Sequence, residues 1–83
     1  MSTTMVKLEQ ISREGESITC TAYVEDCKEP VRLEFHIPDG EMQNTPLPSG
    51  YEWCRAHLSH AKKALGEIAR KETPETRRTV MWY

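Results

Sequence analysis

Two stretches of this chain switch polarity at every residue, and nothing else in it constrains the fold as strongly. Over residues 17–25, Ile18, Cys20, Ala22 and Val24 fall on one side while Thr19, Thr21 and Tyr23 fall on the other. Residues 31–37 repeat the pattern, with Val31, Leu33, Phe35 and Ile37 set against Arg32, Glu34 and His36. A period of two sends alternate side chains to opposite faces of a pleated strand. Residues 5–12 begin the same way, with Val6 and Leu8 against Lys7 and Glu9, until Ile11 falls out of phase. That break predicts a bulge or a register change near Gln10. Arg13-Glu14-Gly15-Glu16 supplies a turn in which Gly15 is free to take positive φ, and Asp26-Cys27-Lys28-Glu29-Pro30 is a polar connector. Three strands with short links read as an antiparallel meander, one face apolar and one face wet.

An apolar sheet face needs a cover. Cys54, Leu58, Ala61, Leu65 and Ile68 recur at 4-3-4-3 spacing, the stripe of an amphipathic helix over residues 51–71. Ser49 with Glu52 three positions on reads as a capping box, and Thr73-Pro74 should stop the helix. Before it, Pro38-Asp39-Gly40 is a turn and residues 41–49, with Pro46 and Pro48, read as an irregular connection. Residues 78–83 read as a fourth strand, expected to run parallel to the third. It is expected on either edge of the meander or on another chain. With 83 residues and only 37% apolar content, the core must be thin. The expected fold class is α+β: a mainly antiparallel sheet packed on one long α-helix in two layers, as a single domain over residues 1–83.

Composition narrows function by exclusion. No apolar run approaches the roughly 18 residues of a membrane span, and the N-terminal residues lack the basic start and apolar stretch of a secretory leader. Three cysteines, Cys20, Cys27 and Cys54, cannot all pair within the chain, which suits free thiols in a reducing cytoplasm. A net charge of -2 argues against a dedicated nucleic-acid binder. The charge is unevenly spread, however. Residues 1–49 carry four basic and nine acidic side chains, whereas residues 50–83 carry seven basic and four acidic. Such a split favours self-association, acidic side to basic side.

Cys54, His57 and His60 stand at i, i+3 and i+6, and both residue types ligate zinc. The first and last of them are about 120° apart around a helix axis, so the expected reading is structural, with no metal and no cofactor. Cys54 beside His57 has the elements of a thiol nucleophile and base, but a two-layer fold of this size leaves little room for a cleft, and a buried, inert Cys54 is expected. The aromatic residues are more telling. Trp53, His57, His60 and Ala64 form a lateral stripe beside the apolar one, and Trp82 and Tyr83 end the chain. Trp and Tyr in such places are interface anchors or complete the core. The reading is a small non-enzymatic cytoplasmic interaction or accessory module, with a protein partner or a second copy bound through the terminal strand and Trp53, His57, His60, Arg77, Arg78, Trp82 and Tyr83. The alternative is a nucleic-acid-associated protein using the basic helix with Arg77 and Arg78. No membrane role is expected.

Overall fold

The computed structural model describes residues 4–71 and 75–82. They form a five-stranded antiparallel sheet packed against one helix, in the order β1 (Thr4–Glu14), β2 (Ser17–Val24), β3 (Val31–His36), β4 (Glu41–Asn44), α1 (Arg55–Ala69) and β5 (Arg78–Trp82). The strands lie side by side as β4-β3-β2-β1-β5, every neighbouring pair antiparallel. The α+β class and its two layers are those expected from the alternating strands and the helical stripe.

The phase break in β1 is a bulge. Pairing with β2 runs Val6↔Val24 to Glu9↔Thr21 and resumes only at Ser12↔Thr19, with Gln10 at φ 54°. The extra residue returns Ile11 to the inner face, where it is 7% exposed. Gln10 then lies on the outer face, its Oε1 accepting from the Thr21 hydroxyl at 3.2 Å. The β1–β2 turn uses Gly15 at φ 61°.

Two expectations fail between residues 38 and 55. Residues 41–44 are not irregular but form β4. The Pro38-Asp39-Gly40 turn reverses the chain completely, because Gly40 N–H donates to His36 O at 2.9 Å and the Asp39 carboxylate accepts from Glu41 N–H at 3.0 Å. The returning strand then pairs Phe35↔Met42 and Leu33↔Asn44. The capping box is also absent. Tyr51 N–H donates to Pro48 O and Cys54 N–H to Tyr51 O, so residues 51–54 form tight turns and the helix begins only at Arg55. Glu52 reaches Gly50 N–H rather than a cap, and Cys54 occupies the N-cap position with no side-chain bond.

The hidden β4 corrects the direction of the last strand. One added reversal means that α1 carries the chain back from β4, so β5 runs antiparallel to β3 and to β1, and it joins the β1 edge through Thr4↔Trp82 to Leu8↔Arg78.

The core contains the sheet residues expected, except that Ile37 is only half-buried. On α1 the buried set is His57, Ala61, Ala64, Leu65 and Ile68, with Cys54 just before it. Leu58 is half-buried. The buried stripe is thus rotated roughly 30–40° from the expected one, by helical geometry, towards His57 and Ala64.

Candidate interaction surface

The rotation of α1 has a chemical cause at its first turn. Glu25, the first residue after β2, has φ 51°, a left-handed conformation rare for a residue with a side chain. Its N–H still donates to Met5 O at 3.1 Å, while its carboxylate turns back to accept Met5 N–H at 2.6 Å. The same Oε2 stands 2.9 Å from His57 Nε2. The Met5 amide bond, with help from His57, holds the Glu25 carboxyl below its ordinary range. An ionised carboxylate only accepts, so His57 Nε2 carries the proton and donates it. A histidine 2% exposed is thereby made tolerable in an apolar layer.

This geometry corrects the lateral stripe. His57 is a core residue and does not face a partner, Ala64 is 4% exposed, His60 is half-buried, and Trp53 is 63% exposed. Trp53 covers His57 edge-on, ring centroids 5.5 Å apart, and its Nε1–H donates to Gly50 O at 3.1 Å. Because Glu25 joins Met5 to His57, and Thr4 pairs with Trp82, the helix start and the end of β5 share one end of the sheet. The side chain of Trp82 and the whole of Tyr83 lie outside the described residues.

Arg78 enters β5 already neutralised. Its Nε–H and Nη2–H fork onto Glu75 at 3.0 and 2.6 Å, and its Nη1–H reaches Glu67 of α1 at 3.0 Å. Lys71 Nζ–H donates to the same Glu75 at 2.6 Å. Arg78 therefore straps the last strand to the helix and is not an open cation, in contrast to exposed Arg77. The hydrogen bonds from Arg78, then Lys71, hold Glu75 at about 2. A carboxyl held below its unfolded value adds stability above the ordinary range, and that stability is lost as pH falls through about 2. Glu75→Gln should lower stability at pH 7 by about 1 kcal/mol at most, as for a largely surface pair. In urea melts, the gap from wild type should close in strong acid.

The two edges of the sheet differ in kind. β4 is four residues long, polar except for Met42, and followed by Pro46 and Pro48, the features that discourage another strand from adding. β5 carries Thr79, Val80 and Met81 with no proline and no lysine. Its far side is unpaired within the described residues. Met81 is 60% exposed. Beside the strand runs an open groove of about 320 Å³, lined by His60, Lys63, Ala64 and Glu67 of α1 and by residues 78–81 of β5.

The thiols lie elsewhere and are quiet. Burial pushes Cys20 up to about 11 despite the opposing pull of Arg32. Burial also raises Cys54, which is 0% exposed, with Glu25 and Cys27 adding to the effect. Both shifts are the reverse of an activated nucleophile. Among the described residues no three of His, Cys, Asp and Glu gather as a metal site. No helix among them is long and apolar enough to cross a membrane.

No family model, no curated protein and no solved structure matches this chain.

Proposed function

We propose that this chain is a small non-enzymatic interaction module that self-associates by adding one β5 to another. The observation that carries this reading is the unguarded edge of β5. It is a β-prone strand of five residues with outward backbone groups to satisfy, next to an exposed Met81 and an open α1–β5 groove. A second copy offers the same edge in the same state. Antiparallel addition about a two-fold axis centred on Val80 sets Thr79 opposite Met81 of the second copy and continues the sheet across both chains. Exposed Trp53 lies at the end of the sheet where β5 finishes and offers an aromatic side chain for contact there. The unpaired thiols support a reducing compartment, and the proposal includes a cytoplasmic location.

A five-residue seam is small for a stable dimer, so association on the order of micromolar is expected, from the usual scale of affinities. Sedimentation velocity over a concentration series tests this. The wild-type chain should shift from one copy to two, and Met81→Lys, which places a charge on an already exposed edge position, should stay single, with the wild-type melting midpoint at protomer concentrations where both are single. A wild type that sediments as one copy throughout, or a Met81→Lys chain that associates equally well, would reject the reading.

A further inference from the structure

The charge imbalance between the two halves of the chain resolves, in three dimensions, into one surface. Arg55, Lys62 and Lys63 on α1 and Arg70 at its C-cap are all exposed, and helical geometry puts them within roughly 100° of one another, on the side away from the sheet. Arg55 and Lys62 are seven residues apart and Lys62 and Arg70 eight, so the row is about 22 Å long at the helical rise per residue. Between the cations the same face carries only Ser59 and Gly66. The nearest carboxylate on the helix, Glu67, is turned to Arg78 at 3.0 Å. Lys62, Lys63 and Arg70 line an open groove of about 400 Å³ against the β3–β4 turn, with Ser59 and Gly66 on its helix wall and with Glu67, already paired with Arg78, also lining it.

Gly66 is not there for packing. A Cβ at that position would meet Phe35 Cζ at 3.8 Å, an ordinary contact, and glycine weakens a helix interior. What its missing side chain does give is a low floor between cations. The composition of the face then selects its occupant. Protein interfaces centre on aromatic or large apolar anchors, and this face has none: Phe35 lies beneath it at 5% exposure. A phosphodiester backbone needs only positive charge and close approach. The overall charge of -2 does not forbid this. The outer sheet face, where Glu9 and Glu34 oppose Lys7 and Arg32, is on the far side of a molecule whose shortest dimension is 20 Å, well beyond the roughly 8 Å screening length at physiological salt.

We infer that the solvent face of α1, through Arg55, Lys62, Lys63 and Arg70, binds the phosphate backbone of nucleic acid without reading its sequence. Arg78, strapped to two carboxylates, takes no part. The face lies within one protomer, so its fate is separate from that of self-association through β5.

The test is fluorescence anisotropy of a labelled duplex of random sequence with the full chain. Four phosphate contacts predict binding on the order of micromolar at about 20 mM salt, weakening with a log–log salt slope of about -3.6. The triple variant Lys62→Ala, Lys63→Ala, Arg70→Ala should bind at least about tenfold more weakly, with the slope falling to about -0.9. All three side chains are exposed, so its melting midpoint should hold. Ser59→Glu, which sets a carboxylate among the cations, should weaken binding as a second, single-site check, and Arg77→Ala should leave it unchanged. Three outcomes overturn the inference: no anisotropy change at roughly 100 µM protein in low salt, a triple variant that binds like wild type, or polyglutamate competing as well as unlabelled duplex, which would make the face a site for acidic protein.

Discussion

Leu65→Ala should cost about 3–5 kcal/mol, the upper part of the range for a buried leucine, and lower the melting midpoint by roughly 12 °C or more for a domain of this size. Leu65 is 0% exposed on α1, in the layer where the helix meets the sheet. Its neighbours on that face, Ala61 and Ala64, are already the smallest side chains that bury area. Each is a single Cβ methyl fixed to the backbone, with no further carbon to swing into the space, and the sheet opposite is pinned by β1–β2 and β2–β3 pairing. The site therefore cannot collapse, and the cavity left behind adds to the lost transfer energy. Thermal melts at one fixed protomer concentration measure the effect, since self-association would otherwise shift the midpoint. A midpoint within 2–3 °C of wild type would correspond to less than about 1 kcal/mol and would mean that the helix does not seal the sheet.

How much of this was legible in the chain depends on the distance over which each feature is decided. The strands, the Gln10 bulge and the Gly15 turn are set by neighbours within a few residues, and alternation records them directly. β4 leaves no such trace. Its four residues alternate nothing apolar except Met42, half-buried against the core; it is a strand because the turn before it delivers it to the free edge of β3. Once that strand is missed, the direction of β5 is wrong as well. The Ser49/Glu52 pattern was present but not used, because Tyr51 and Cys54 close their own tight turns first. The rotation of α1 was out of reach for a different reason. Burying His57 in place of Leu58 makes sense only with Glu25 beneath it, 32 residues earlier in the chain. The candidate surface was half-visible: a terminal strand with exposed residues was readable, whereas the difference between a guarded and an unguarded edge exists only once the sheet order is known.

The second large effect is expected at Glu25. Its carboxylate is the acceptor on which three elements meet, receiving the Met5 amide of β1 at 2.6 Å and the His57 ring of α1 at 2.9 Å from the end of β2. Glu25→Ala removes both bonds at once and leaves His57, 2% exposed, without its carboxylate. Hydrogen bonds to a charged group contribute about 1.5–3 kcal/mol each, and partial access of water to Glu25 lowers the combined loss to roughly 2–4 kcal/mol. Glu25→Gln keeps the shape and one acceptor, so it should fall between wild type and alanine. The direction of the pH dependence follows from the carboxyl being held below its ordinary value, chiefly by the Met5 amide. A group of this kind contributes its stability in full above the unfolded glutamate range, and the contribution is lost as pH falls through the lowered native value. The gap between wild type and Glu25→Ala in urea unfolding should therefore be widest near neutrality and narrow steadily in acid below the glutamate range. A gap that stays constant from neutral pH into strong acid would show that the charge of Glu25 is irrelevant to the stability it contributes.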